Sequence, residues 1–273
     1  MTHMIAPPHP FDAATTLTPS ESGAFQGKTS ADYANMVGPF GGITAAIMLR
    51  AALDHPDRIG DPVSLTVNFA APIADGSFDV VARPVRTSRS TQHWAIEMLQ
   101  NDEVTTTATA VFGIRRSTWE ATDIVAPEVP SPESITPPEL PEFIAWVRNY
   151  EMRFVHGGLD ALAEGKPADS SSTLWVRDTP PRPLDFPALA AMSDIFFPRV
   201  MLRLGKLVPA GTISMTVYFH ATAAQLTAQD DQPVLATARA LRFGNGFFDQ
   251  SAELWTPGGD LLVTTHQMVY FKA

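Results

Sequence analysis

The stretch GPFGGITAAIMLRAALDHPD at residues 38–57 decides the fold, because it encodes a helix with almost no polar face. Pro39, Gly41 and Gly42 mark a turn, and Ile43–Leu53 follows as a helix rich in Ala and Leu. A helix that is apolar on every side is a buried helix. The pattern therefore predicts a central helix wrapped by a sheet.

Four strand patterns follow this helix, and two turn signals, Asp75-Gly76 and Asn101-Asp102, separate them. The patterns are rich in Val, Thr, Ile and Phe, and they predict strands at Val63–Ala70, Ser77–Thr87, Thr91–Gln100 and Val104–Ile114. One buried helix followed by an antiparallel meander predicts an α+β fold.

A proline-rich segment at 117–142 is interpreted as an extended linker outside the core. Beyond it a similar set of elements recurs. A helix is predicted from Phe186 to Leu204, with Asp185 as its cap and Pro198 as a kink. The strands of this second unit are predicted at Tyr150–His156, Thr173–Arg177, Thr212–Ala221, Val234–Phe243, Phe248–Trp255 and Leu261–Phe271.

The two units repeat each other in sequence. VSLTVNFAA at 63–71 aligns with ISMTVYFHA at 213–221, and TTTATAVF at 105–112 aligns with TTHQMVYF at 264–271. A period of about 150 residues is too long for a solenoid and indicates a duplicated domain. We therefore predict a first unit, a linker and a second unit at 1–116, 117–142 and 143–273.

The composition excludes several classes of function. The 29 acidic and 19 basic residues give a net charge of -10, which argues against a nucleic-acid-binding protein. There is no cysteine, which excludes a thiol nucleophile, a disulfide and a thiolate metal site. The sequence contains no HxH or HExxH motif of the kind that binds a metal. It also contains no apolar run as long as a membrane span. We expect no metal, no cofactor and a cytoplasmic location.

Four motifs, in this order, resemble the acyl-CoA thioesterase II family of double-hotdog proteins: FGGITAA at 40–46, MSD with a following FFP at 192–198, TISMTVYFH at 212–220 and LWTPGGDLLVTTHQ at 254–267. The resemblance covers nearly the whole chain. It implies two fused hotdog units, each with a long central helix wrapped by an antiparallel sheet. It also implies hydrolysis of acyl-CoA to a carboxylic acid and CoA, by a water that Asp194, Thr212 and Gln267 hold and activate.

The residue types fit this chemistry on their own terms. Thioester hydrolysis needs a base for the attacking water and donors for the oxyanion. Ala190, Ala191 and Phe197 surround Asp194 in the sequence, and an apolar setting raises the pKa of a carboxylate. A hydroxyl and a primary amide can each donate to and accept from a water. Neither a metal nor a covalent intermediate is required.

The first unit lacks all three groups. Its helix has no carboxylate before Asp54, Pro62 aligns with Thr212, and Ala108 aligns with Gln267. We therefore predict one active site per chain, with the first unit as its partner and pocket wall.

Four further residues are weaker candidates. Gly41 and Gly42 fit an oxyanion turn at a helix N-terminus and, equally well, a tight turn that permits close helix packing. Arg86 and Arg89 are the first candidates to bind the phosphates of CoA.

Two other functions remain open. A hotdog hydratase or dehydratase needs an Asp/His pair on a short loop, and the sequence shows no such spacing. His220 is interpreted as a packed histidine and His156-Gly157-Gly158 as a strand-to-loop turn. A non-catalytic acyl-CoA-binding protein would keep the same pocket. In each case the free edges of the sheet predict a homo-oligomer.

Overall fold

A computed structural model describes residues 7–21, 23–141, 143–158 and 165–273. The helices are α1 (Pro10–Thr15), α2 (Gly41–Leu53), α3 (Phe186–Met192), α4 (Arg199–Leu204) and α5 (Ala223–Gln229), with 3-10 turns at Ala31–Tyr33, Pro132–Ser134 and Trp146–Asn149. The strands are β1 (Thr18–Pro19), β2 (Phe25–Lys28), β3 (Asp61–Phe69), β4 (Ser77–Thr87), β5 (Thr91–Gln100), β6 (Glu103–Gly113), β7 (Tyr150–His156), β8 (Ser172–Asp178), β9 (Ala210–Phe219), β10 (Val234–Arg239), β11 (Phe243–Gly244), β12 (Phe247–Trp255) and β13 (Leu261–Phe271).

The strands form one antiparallel sheet in the order β1-β2-β4-β5-β6-β3-β9-β13-β12-β10-β8-β7, with β11 beside β12. The first unit supplies the strands from β1 to β3 in this order, and the second unit supplies those from β9 to β7. The two units therefore meet where β3 pairs with β9.

Helix α2 is buried along its length, as its apolar pattern predicts. Ile43, Ala46 and Leu49 are each at most 2% exposed. The sheet of the first unit and helix α3 pack against it, so every side of the helix has an apolar neighbour. Each large side chain buried in this way contributes about 1.5–3 kcal/mol. Among the described residues, each helix is too short or too polar to span a lipid bilayer.

A pseudo-two-fold axis passes between β3 and β9. Thr66 and Thr216 are Cα partners across these strands, and their hydroxyl oxygens lie 3.0 Å apart. The sequence alignment makes these two threonines equivalent, and a two-fold arrangement is what sets a residue opposite its own equivalent. The sheet thus has the symmetry that a duplicated domain predicts. The unit boundaries stay predictions.

A β-bulge recurs at equivalent places in the two units. The register of β3 against β6 shifts at Val63, and the register of β9 against β13 shifts at Ile213. These residues lie 150 positions apart, the same offset that relates the two central threonines. The bulge therefore belongs to the repeated unit.

The long second helix predicted over Phe186–Leu204 is wrong. The chain leaves the helical path after α3, and residues 193–198 connect it to α4. Pro198 is the N-cap of α4 and not a kink within one helix. A proline disfavours helical geometry at the residue before it and removes a helix hydrogen bond. The second unit therefore has two short helices where the first has one long helix.

Side-chain caps begin three of the short helices, α3 and α5 among them. Asp185 accepts a hydrogen bond from the N–H of Ala188 at 2.9 Å, so its predicted role as the cap of α3 is confirmed. The prediction missed α5, which begins with a capping box between Thr222 and Gln225. The sequence carries the signature of that box, a threonine followed three residues later by a glutamine.

The proline-rich segment is extended, as predicted, but it packs on the protein. Its apolar residues cover two tryptophans and a leucine on the outer face of the second unit, with Ala126, Val129 and Ile135 against Trp175, Leu235 and Trp255. The Pro130 carbonyl accepts the indole N–H of Trp175 at 3.0 Å. The interpretation of this whole segment as lying outside any core is therefore wrong, because the outer face carries large apolar side chains that need cover.

Candidate active site

Asp194 lies in the turn after α3 and not inside a helix, where the sequence analysis placed it. Ser193 caps α3, and the N–H of Asp194 donates to the Ala191 carbonyl at 3.1 Å. The carboxylate is partly buried. Desolvation raises its pKa to about 7, and hydrogen bonds from the Gln267 side chain and the Gly42 backbone partly offset this rise. A carboxylate with this pKa can accept a proton near neutral pH.

A chain of hydrogen bonds joins Thr212, Gln267 and Asp194. Thr212 Oγ1 donates to Gln267 Oε1 at 3.1 Å. Gln267 Nε2 donates to Asp194 Oδ1 at 2.9 Å and to the Ser193 carbonyl at 3.2 Å. Since a carboxylate only accepts and an amide has one donating end, these partners fix the orientation of the amide. The structure thus brings the three predicted residues together.

The β-bulge at Ile213 directs Thr212 into the site. Gln267 pairs with Met215, and Thr212 pairs with Val269, because the bulge takes up the residue between. Both Met215 and Val269 are buried, so Thr212 lies on the inner face with them. Strict alternation along β9 would have put it on the outer face. Bulges often redirect side chains next to active sites in this way.

The two glycines that begin α2 lie against Asp194. A Cβ built on Gly41 would lie 2.6 Å from Asp194 Oδ2, and one built on Gly42 would overlap the Ala191 carbonyl oxygen. The backbone of Gly42 helps to lower the pKa of the Asp194 carboxylate, and the N-cap Phe40 offers no side-chain acceptor to the first turn. The glycines therefore permit close packing of α2 against the Asp194 turn. Their oxyanion role stays a prediction.

The first unit has an alanine where the second has Gln267. Leu65 pairs with Ala110, whereas its equivalent Met215 pairs with Gln267. Ala110, and not Ala108, is therefore the counterpart of the glutamine. The sequence alignment was displaced by two residues because the two hairpins before the closing strands differ in length. The first unit lacks the amide under either alignment.

Gln250 is a residue of the site that the sequence analysis missed. It is the Cα partner of Gln267, and the two side chains are 2% and 4% exposed. Such cross-strand neighbours have Cβ atoms about 5 Å apart. In the first unit the equivalent pair is Trp94 and Ala110. The second unit thus has two amides where the first has an apolar pair, and the repeat alignment carries this signal.

Arg86 and Arg89 lie far from Asp194 within one chain. Both are exposed in and beside the β4–β5 hairpin. Gln92 of this hairpin donates to the Asp57 carbonyl, just beyond the C-terminal end of α2. Asp194 touches the opposite end of that helix, and a 13-residue helix is about 20 Å long. The structure does not bring these arginines to the site, and their contact with CoA stays a prediction.

The candidate histidines also lie outside the site. His220 is exposed and pairs with the Thr264 hydroxyl at 2.9 Å, so its interpretation as a packed histidine is wrong. His156 ends β7 and lies 3.4 Å from Asp169 on the surface. Over the described ranges no cluster of three or more His, Asp or Glu side chains could hold a metal ion.

Two family models match this chain. The model for the "Acyl-CoA thioesterase C-terminal domain" matches residues 126–271, and the model for the "Acyl-CoA thioesterase N-terminal domain" matches residues 30–113. No curated protein matches the chain.

Solved structures share the whole fold. A conserved protein of unknown function with a hot dog fold from Alicyclobacillus acidocaldarius is 49% identical, with a TM-score of 0.93 over 98% of this chain and 99% of that one. The tesB protein of Mycobacterium avium subs paratuberculosis is 19% identical, with a TM-score of 0.77 over 96% and 98%. An acyl-CoA thioesterase II, TesB2, from Mycobacterium marinum is 18% identical, with a TM-score of 0.73 over 96% and 98%. The double-hotdog α+β prediction is confirmed.

Proposed function

Because the chain belongs to the acyl-CoA thioesterase family and is a thioester hydrolase, we propose that Asp194, Thr212 and Gln267 bind and activate the water that cleaves acyl-CoA. The products are a free carboxylic acid and CoA. The observation that carries the proposal is the hydrogen-bond chain from Thr212 through Gln267 to a partly buried carboxylate. The raised pKa of Asp194 supports its role as the base.

In this mechanism the two oxygens of Asp194 have different tasks. Oδ1 accepts from Gln267, which leaves Oδ2 to take a proton from the attacking water. The Thr212 hydroxyl has lone pairs to accept from the same water, since its hydrogen is donated to Gln267. Breakdown of the tetrahedral intermediate then breaks the C–S bond, and the proton passes from Asp194 to the departing thiolate.

We assign the donors for the thioester oxyanion to two places. The first donor is the N–H of Gly41, one of the N–H groups in the first turn of α2 that have no acceptor within the helix. The positive end of the helix dipole favours negative charge there. The second donor is the buried amide of Gln250, which lies across the strand pair from Gln267.

Assembly and location remain predictions. Tyr218, Met268 and Tyr270 on the outer face of β9 and β13 are between 40% and 50% exposed. An apolar outer face of this kind supports the predicted homo-oligomer.

The experiment that tests the function is thiol release from a panel of acyl-CoA substrates, followed with a thiol-reactive dye. The protein has no cysteine and so adds no background. We expect catalytic release that is saturable in acyl-CoA. Hydration of an enoyl-CoA without thiol release would instead favour the hypothesis that the protein is a hydratase. Saturable acyl-CoA binding without any product would favour the hypothesis of a non-catalytic acyl-CoA-binding protein.

A further inference from the structure

Phe69, the last residue of β3, brings an apolar side chain of the first unit to the Asp194 site. Leu65, Val67 and Phe69 alternate along the inner face of β3, and the first two of them are fully buried. Phe69 is only partly buried and packs against the same apolar core. Its ring therefore lies at the rim of the core of the first unit.

The Phe69 ring, Gly41 and the Asp194 carboxylate meet at one place. A Cβ built on Gly41 would lie 3.5 Å from Phe69 Cζ and 2.6 Å from Asp194 Oδ2. The tip of the ring and this oxygen are therefore no farther apart than the two distances combined. Oδ2 takes the proton of the attacking water in the proposed mechanism, so the ring lies beside the reacting end of the carboxylate.

The equivalent ring in the second unit is covered by another ring. Phe219 is the repeat equivalent of Phe69, and it is 2% exposed. It packs edge-on against Phe186, the first residue of α3, with centroids 5.7 Å apart. The first residue of α2 is Gly41, which has no side chain to cover Phe69. The missing cover leaves the Phe69 ring open to a substrate.

The geometry of the reaction brings the acyl group within reach of this ring. A water bonded to Asp194 Oδ2 lies about 3 Å from it, and the thioester carbon that it attacks lies about 3–3.5 Å farther on. That carbon carries an oxygen, a sulfur and the α-carbon of the acyl chain. The oxygen needs hydrogen-bond donors, and the sulfur leads to CoA, whose charged phosphates need water. The apolar acyl chain is the part that a phenyl ring stabilises by contact.

We propose that Phe69 contacts the α-carbon of the acyl chain and restricts the enzyme to acyl-CoAs that are unbranched at that carbon. A methyl group on the α-carbon would press against the tip of the ring and displace the thioester from the attacking water. A displacement of about 1 Å is enough to slow such a reaction by about 100-fold. A straight chain passes the ring, because its α-carbon carries only hydrogens. The inference rests on the proposed role of Asp194 as the base.

Phe69→Ala tests the proposal with a pair of isomeric substrates. The pair is a straight-chain acyl-CoA and its isomer with a methyl branch on the α-carbon, for example butyryl-CoA and isobutyryl-CoA. We expect wild-type kcat/KM for thiol release to be higher for the straight isomer by about tenfold or more. In Phe69→Ala the ratio of the two kcat/KM values should fall by about tenfold, because the branch then has room.

The ratio is a readout that a purely structural role of Phe69 would not change. A lower fraction of folded protein reduces kcat/KM for both isomers by the same factor. Removal of the ring also admits water to Asp194, whose pKa is raised by burial, and this change affects both isomers alike. Both effects cancel in the ratio.

Two further variants complete the experiment. Phe69→Leu keeps an apolar side chain with a shorter reach, so it should lower the ratio less, and it decides the matter if Phe69→Ala does not fold. Phe271→Ala is the matched control, because Phe271 is also a partly buried ring at the end of a strand. It packs against Phe248 in a separate apolar cluster of the second unit. It should leave the ratio at the wild-type value.

The outcomes separate this inference from the function on which it rests. If the wild-type protein releases thiol from no acyl-CoA, the proposed function fails and this inference fails with it. Thiol release with an unchanged ratio in both Phe69→Ala and Phe69→Leu would overturn the role of Phe69 and leave the function standing. A wild-type protein that hydrolyses both isomers equally well would also overturn the role of Phe69.

Discussion

Asp194→Asn is expected to lower kcat/KM for thiol release by about 10³-fold, the usual contribution of a positioned base. The asparagine oxygen can still accept the hydrogen bond from Gln267, so the surrounding structure should persist. The loss would then come from the missing proton acceptor. Thiol release and the thermal midpoint of unfolding, measured on the same preparation, separate a chemical effect from a structural one.

The pH dependence gives the same prediction a second readout. Asp194 acts as a base only when ionised, so wild-type kcat/KM should rise with pH through about 7 and level off above it. Asp54→Asn is the control, because burial also raises the pKa of Asp54 but its ion pair is with Arg50. It should leave both rate and profile unchanged. A residual activity above about a tenth of wild type in Asp194→Asn would contradict the role of the base.

Gly42→Ala is expected to destabilise the fold by about 1–3 kcal/mol, the usual cost of overpacking. The added Cβ would overlap the Ala191 carbonyl oxygen and the ring of Phe40. That carbonyl also accepts the N–H of Asp194, so relief of the overlap displaces the carboxylate and lowers activity as well. The effect opposes helix propensity, which favours alanine over glycine by about 1 kcal/mol. Denaturant unfolding and thiol release measure the two losses.

Gly244→Ala is the matched control for this substitution. A Cβ at Gly244 has Arg242 Nη2 at 3.8 Å as its nearest neighbour, which is ordinary contact. Its stability should remain within about 0.5 kcal/mol of wild type. If Gly42→Ala were equally harmless, the close approach of α2 to the Asp194 turn would not matter for this protein.

The strands and the buried helix are predictable from the sequence because both leave a local pattern. β4, β5, β7 and β13 begin and end at the predicted residues, since alternation and turn residues mark both ends. The break between α3 and α4 is harder to predict, because apolar residues resume at 195–197, directly after Ser193 and Asp194. The cover of the outer face by residues 126–135 depends on strands distant in sequence, which no local pattern reveals.

The candidate site is predictable in its residue types but not in its geometry. The family motifs single out Asp194, Thr212 and Gln267, and so does the absence of these three groups from the first unit. The inward direction of Thr212 depends on the bulge at Ile213, which shows only in the pairing of β9 with β13.

A single turnover in ¹⁸O-labelled water tests most directly whether Asp194 activates a water. With protein in excess over acyl-CoA, direct attack by water places the label in the released carboxylic acid, and this is the expected result. Attack by the Asp194 carboxylate itself would give a mixed anhydride. Attack of the labelled water on the Asp194 carbonyl of this anhydride would place the label in the peptide that contains Asp194 and leave the first acid released unlabelled. That second result would contradict the account.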